Sequence, residues 1–313
     1  MKRFKNILLV HDRASRGRKA LDRALDLARC NGASLKLVEV VEPPTGSKRL
    51  VKTSAGEVDL LEVITRDRTA GLERRAATLD AGDAQVSTRL LFGTPFIAIT
   101  REAVQAGHDL VMVTAEGRGG LREHLFGSTS RHLLRKCPCP VWVVRPSGRR
   151  KGIRVLAAVD PGEEHPSGRE LDRRILELAS SLATMHDGTL DVVHAWNAVP
   201  RSTRVSSRSL ARWNAEIMAA AEERLRTLVA EAELVGPPPR LHLPGGAPGL
   251  KIAEVARDRR SDVVVMGTLS RSGLTGLLIG NTSETVLQHL DASVLAVKPE
   301  GFVSPLLDPA GAR

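Results

Sequence analysis

The 313-residue chain has no tyrosine, and only five phenylalanines, three tryptophans and three cysteines. So few aromatic faces leave little for nucleic-acid bases to stack on, which disfavours nucleic acid as a partner. Three cysteines, an odd number in a chain this long, do not make a disulfide framework, so a reducing compartment, the cytoplasm, is expected. No run of about 18 uncharged apolar residues occurs, and the apolar run in MKRFKNILLVHD is too short for a signal peptide, so no membrane partner is expected. G-x-x-x-x-G-K-[ST], G-x-G-x-x-G, H-E-x-x-H and G-x-S-x-G are all missing. Their absence removes a Walker loop, a dinucleotide fingerprint, a zincin helix and a hydrolase elbow, and leaves dedicated catalysis without a constellation. Cys137 and Cys139 supply only two of the four ligands that structural zinc takes, so they read as packing and no metal site is expected. His194 lies in the apolar run LDVVHAW and reads as a packed residue rather than a base.

The charge of one sign is unevenly distributed. Residues 1–150 carry 27 Lys and Arg against 16 Asp and Glu, a net +11, and the remainder carry 19 against 20, a net −1. The bases of the first half are interspersed with acids rather than clustered, so they form no dedicated anion-binding tract.

The strongest feature is internal repetition. Shifting the chain by 153 positions aligns Gly93 to Pro146 with Gly246 to Pro299 without a gap, and about a third of these positions are identical. The openings NILLVHD, ending at Asp12, and IRVLAAVD, ending at Asp160, also correspond. The polar segment RPSGRRKG separates the copies, which sets the domains at 1–148 and 152–313, with a tail from about 300.

Within the first copy NILLV, SLKLVEVV, VSTRLLF, DLVMVT and PVWVV are short apolar runs bounded by turn residues, as strands are. RKALDRALDLARCNG places Leu21, Ala24, Leu25 and Ala28 on one helical face and stops at Gly32. Alternating strands and helices imply α/β architecture: two tandem doubly wound domains, each a five-stranded parallel sheet flanked by helices. Ligands of such sheets sit beyond the carboxyl ends of the strands, where strand order reverses. Asp12 and Asp160, each following a first strand, could accept hydrogen bonds there, and a helix cap or turn remains the alternative.

GTLSRSGLTGLLIGNTSE, Gly267 to Glu284, follows the strand-like SDVVVM. Its small residues let backbone amides approach an anion at a helix start, and Asn281 with Glu284 has capping spacing. A parallel α/β domain with Asp after strand one, GxP after strand three and G-x2-G-x9-G-(S/T) after strand four resembles the universal stress protein family. The tandem length and the ending VKPEGFVSP resemble its two-domain E-type members.

In ATP-binding members the glycines and hydroxyl surround the phosphates, the aspartate meets the adenosine, and a backbone group at the end of strand two meets the base. The resemblance implies ATP or another adenine nucleotide as cofactor, with Mg2+, or another phosphate-bearing ligand. It implies a role in a stress response and protein partners. It also implies a pseudo-dimer within the chain, built through the apolar last strands, and dimerisation as a further expectation. Neither motif is intact. The second copy reads Gly267-x2-Ser270-x9-Gly280-Asn281, and its expected ligand-binding set is Asp160, Gly246, Gly267, Ser270, Arg271, Gly280, Asn281 and Thr282. The first reads Thr114-x2-Gly117-x9-Gly127-Ser128, with Asp12, Gly117, Arg118, Gly127, Ser128 and Thr129 as the degenerate equivalent. The second copy is favoured because its replacements are small and hydrogen-bonding, whereas Thr114 obstructs the first. A ligand-free scaffold acting through protein contacts and a weak ATPase are the alternative readings.

Overall fold

The computed structural model describes residues 4–12, 17–43, 50–53, 56–115, 126–146, 152–162, 166–200, 206–268 and 280–307. These residues fall into two compact units. One is built on residues 4–115 and 127–146, joined by 304–307, and the other on 152–303.

The first unit has five parallel strands, β1 (Asn6–Val10), β2 (Ser34–Val41), β5 (Val86–Phe92), β6 (Leu110–Thr114) and β7 (Val141–Val144), in the order β7-β6-β1-β2-β5. Between β2 and β5 runs an antiparallel hairpin, β3 (Leu50–Thr53) and β4 (Gly56–Asp59), which the apolar pattern does not announce because its strands are four residues long and polar. Four helices connect the strands: α1 (Arg18–Asn31), α2 (Leu60–Ala77), α3 (Pro95–Gln105) and α4 (Ser128–Lys136). Helix α1 buries Leu21, Ala24, Leu25 and Ala28, the stripe expected from the spacing. It ends where Gly32 takes the left-handed conformation, φ 57°, which a glycine adopts without a Cβ clash.

The second unit repeats the plan. Its strands β8 (Arg154–Ala158), β9 (Thr189–Val193), β10 (Arg240–His242), β11 (Val263–Gly267) and β12 (Ser293–Val297) pair in parallel in the order β10-β9-β8-β11-β12. Helices α5 (Pro166–Met185), α6 (Ser207–Glu231), α7 (Pro248–Asp258) and α8 (Asn281–His289) link them. Helix α5 packs on α6, and α7 packs on α8. With right-handed crossovers, strand order reverses beside the first strand of each unit, between β1 and β6 and between β8 and β11. Central strands covered on both faces must be apolar throughout, and β8 and β11 are buried accordingly.

Candidate functional site

In the second unit a crevice lies beyond the carboxyl ends of β8 and β9. Asp160 stands two residues beyond β8. Its backbone N–H donates to both carboxylate oxygens of Asp172, at 3.2 and 3.1 Å, and Asp172 is a buried residue of α5. This contact fixes the loop and leaves the Asp160 side chain 46% exposed. Asp160 Oδ1 accepts from the Gly162 amide at 3.4 Å and lies 3.6 Å from Nδ1 of the buried His194. Because a carbonyl can only accept, His194 Nδ1 carries a proton and donates to Val159 O at 3.3 Å. His194 is packed, as its sequence context suggests, but it also faces the aspartate.

These two residues line a cleft of about 460 Å³. Ala195, Trp196 and Asn197 continue its wall past β9, Ile217 and Arg224 enter from α6, and Pro248 closes it at the start of α7. Trp196 is held by its indole N–H donating to Leu243 O at 3.1 Å and by its carbonyl accepting from the Gly246 amide at 2.9 Å. A Cβ on Gly245 would stand 2.7 Å from the indole ring, so the glycine lets the ring lie flat on the chain. Gly246 has φ 131° and Gly93, its counterpart, φ 109°, so the glycine of each GxP turn is dictated by its backbone.

Pro248 lines the cleft, and the residue after it packs against α8. A Cβ on Gly249 would come within 2.5 Å of Thr285 Cβ and 2.9 Å of Thr282 O, so the start of α7 abuts the first turn of α8. Gly280 is the N-cap of α8, its amide donating to Thr268 O at 3.3 Å, and Ser283 Oγ donates to Gly267 O at 3.0 Å. One expectation needs correction. Asn281 and Glu284 do not cap the helix: Asn281 is the first helical residue, no side chain caps α8, and Thr285 Oγ1 donates to Asn281 O instead. Gly280 at φ −62°, ψ 143° and Gly127 at φ −60°, ψ 170° occupy backbone regions open to any residue, so close approach is the remaining reason for glycine there. Gly267 ends β11 as expected, with the space of a side chain taken by Leu171 Cδ2 3.0 Å from its ideal Cβ. Ser270 and Arg271 lie outside the described residues.

The first unit differs at the corresponding positions. Asp12 again follows its first strand by two residues, but a Cβ on Gly17 would be 2.5 Å from Asp12 O. Counting back 11 residues from the matching helix-end alanines, Ala28 and Ala183, Gly17 stands where Asp172 stands. Thr114 closes β6, and its buried Oγ1 has no hydrogen-bond partner among the described residues. Gly127 caps α4, and Ser128 and Thr129 open it, while Gly117 and Arg118 lie outside the described residues.

Cys137 and Cys139 bring their sulfurs to 3.4 Å. The hydrogen bond with Cys137, and then burial, push the Cys139 thiol upward, so it stays protonated. Among the described residues no group of three or more His, Cys, Asp or Glu side chains could hold a metal ion, and no helix is long and apolar enough to cross a membrane.

Comparison with known proteins assigns this arrangement. The family model described as Universal stress protein family matches residues 3–145 and again 154–298. The chain belongs to the universal stress protein family. It is 26% identical over 310 residues to universal stress protein E of Escherichia coli K12, covering 98% of each chain. It is 28% identical over 320 residues to universal stress protein E of Photorhabdus laumondii, again covering 98% of each. Among solved structures, the crystal structure of a functionally unknown protein from Pseudomonas aeruginosa PAO1 superimposes with a TM-score of 0.71 at 26% identity, covering 96% of this chain and 94% of that one. The tandem universal stress protein fold is thus established along nearly the whole chain.

Proposed function

We propose that the second repeat binds an adenine nucleotide, ATP in the first instance, or a related phosphate-bearing ligand, and serves a cytoplasmic stress response without dedicated catalysis. The observation that carries this reading is a half-exposed acid held in place by a buried one. Asp172 grips the Asp160 backbone, and Asp160 faces a cleft lined by Pro248, whose neighbour Gly249 packs against the first turn of α8. Asp160 accepts a hydroxyl of the sugar, the backbone at Ala195 and Trp196 meets the base, and the first amides of α8 at Asn281 and Thr282, with Ser270 and Arg271 of the same loop, receive the phosphates. The described residues offer no trio of metal-ligating side chains, so Mg2+ would be held chiefly by the ligand's own phosphates and water.

For the first repeat the scaffold reading is favoured. Its Asp12 loop lies directly against Gly17, and Thr114 fills the end of β6 where the second repeat has Gly267.

Calorimetric titration with ATP, on protein stripped of nucleotide by unfolding and refolding, tests both readings. One site per chain, weakened by Asp160→Ala and indifferent to Asp12→Ala, is expected. A stripped protein that binds neither ATP nor ADP overturns the nucleotide reading.

A further inference from the structure

One wall of the cleft carries a charge that the proposed contacts do not use. Helix α6 is 25 residues long, yet its buried residues, Ala221, Leu225 and Leu228, all fall in its second half. The first half lies off the core, and Asn214 ties it to the loop after β9: its Oδ1 accepts from the Val199 amide at 2.8 Å and its Nδ2 donates to Val199 O at 3.4 Å. From this helix Ile217 and Arg224 reach the cleft, on one face and about 10 Å apart along the axis. Helix α5 packs on α6 and α7 on α8, and right-handed crossovers put the two pairs on opposite faces of the sheet, so Arg224 comes to the cleft from the face opposite Pro248.

Arg212 and Arg226 of the same helix have acids one turn away, Glu216 at 3.6 Å and Glu222 at 2.7 Å. Arg224 has none by position, because Ala220, Ala221, Thr227 and Leu228 occupy the places three and four residues from it, and it makes no ion pair among the described residues. It is exposed and lines the same cleft as Asp160. An acid and an unpaired arginine beside one sugar divide its oxygens by charge: the carboxylate accepts a hydroxyl, and the planar guanidinium accommodates a phosphate. The phosphate chain proposed for α8 lies on the other face and leaves Arg224 without an anion.

We infer that Arg224 receives a phosphate esterified to the sugar, so that the ligand class of the second repeat is an adenine nucleotide phosphorylated on its 2′ or 3′ oxygen as well as at its 5′ end. This choice rests on the nucleotide reading, which places the sugar at Asp160, and adds to it a second anion on the α6 side of the cleft.

The test is calorimetric, on the full-length protein stripped of nucleotide, with AMP, adenosine 2′,5′-bisphosphate and adenosine 3′,5′-bisphosphate as probes. The parent should bind one of the two bisphosphates about tenfold or more tightly than AMP. Arg224→Gln should weaken that bisphosphate about tenfold and AMP less than about threefold, and Arg224→Lys, a charge without the planar fork, should recover only part of the loss. Arg226→Gln removes an equal charge from the same helix, and the preference should survive it. A parent that prefers neither bisphosphate to AMP, a preference that outlives Arg224→Gln, or one that falls equally in Arg226→Gln overturns the inference and leaves the nucleotide reading standing. A parent that binds none of the three, nor ATP, overturns both.

Discussion

The two repeats fold one strand order from sequences that reverse each other's polarity in the sheet. Lys36 on β2 and Asp191 on β9 both pair with the third residue of a first strand, Leu8 and Leu156. In the first repeat the acid comes from a helix: Glu102 of α3, almost wholly buried, takes Lys36 Nζ at 2.9 Å and Arg89 Nη1 at 2.8 Å. In the second repeat the acid is on the strand, and Asp191 takes His242 Nε2 at 2.7 Å and Arg259 Nε at 3.2 Å. Each arrangement gives one buried carboxylate two basic partners, which is the condition for keeping a charge out of water. The fold therefore requires the pairing and is indifferent to which element supplies the acid. At the carboxyl ends of the strands there is no such freedom. Asp172 holds the loop of Asp160 beside a cleft, while Gly17 lets the loop of Asp12 close against α1. The repeats have diverged freely where only stability is at stake and unequally where a ligand would enter.

The sharpest way to break that comparison is a pair of equivalent substitutions. Gly280→Val should abolish nucleotide binding, because a branched side chain at the N-cap of α8 occupies the space the phosphates need. Gly127→Val should leave affinity within about twofold of the parent, since the first repeat is not the binding one. Valine can adopt the backbone angles of both glycines, so both variants should remain folded, and circular dichroism with thermal melting checks this. Binding lost in Gly127→Val and kept in Gly280→Val would mean that the wrong repeat has been chosen.

A smaller effect separates the two carboxylates of the second repeat. Asp160→Ala should weaken ATP binding by about 1 to 3 kcal/mol, the cost of a ligand hydroxyl left without its acceptor, with the melting temperature nearly unchanged. Asp172→Ala should act on both, because it frees the Asp160 backbone amide and leaves the loop unheld. If Asp172→Ala binds ATP as the parent does, the grip on the loop is irrelevant to the site.

How much of this was legible in the sequence differs between fold and site. SLKLVEVV and VSTRLLF coincide with β2 and β5, because apolar runs bounded by turns leave few alternatives. Gly32 was legible as a helix stop for the same local reason. For the candidate site the sequence offers only motif positions, Asp160, Gly246, Gly267, Ser270, Arg271, Gly280, Asn281 and Thr282, and their binding role is the proposal that the variants above test. His194, Trp196, Ile217 and Arg224 reach one cleft from a strand end and a helix, and no spacing in the chain links them. Asp172 has a signal in the sequence: it lies three and four residues before Ile175 and Leu176, on the buried face of α5, where an unpaired acid would be untenable. The cap of α8 was misplaced by one residue, since Asn281 and Glu284 have the spacing but Gly280 has the backbone position.

Stability tests the charge reversal. Lys36→Met should destabilise the protein by about 2 kcal/mol, less than the full cost of breaking a buried pair because Arg89 still faces Glu102. Lys36→Arg should recover most of it. Denaturant unfolding gives both values, and a Lys36→Met protein as stable as the parent would show that Arg89 alone compensates the buried acid.

The smallest expected effect is on acid stability, and it belongs to the same cluster. His108 is buried, donates Nδ1–H to Asn6 O at 3.3 Å, and directs an Nε2 with no hydrogen-bond partner among the described residues towards Glu102 Oε1, 3.9 Å away. Burial is the main cause that holds its pKa below the ordinary 6.5; Lys36 adds to the lowering, against the Asn6 carbonyl, Glu102 and Asp109. The sign follows from linkage. A histidine whose folded pKa is depressed binds its proton more readily when unfolded, so the stability it supports is present above about pH 6.5 and is lost as pH falls from there towards the folded value. The slope cannot exceed about 1.4 kcal/mol per pH unit for one proton. His108→Gln should therefore flatten the fall in melting temperature between about pH 6.5 and 5. Lys36→Met should flatten it in part, because removing that charge lets the folded imidazole take its proton more easily. If neither substitution changes the acid slope, protonation of His108 does not limit the stability of the first repeat, and its burial beside Glu102 is a matter of packing alone.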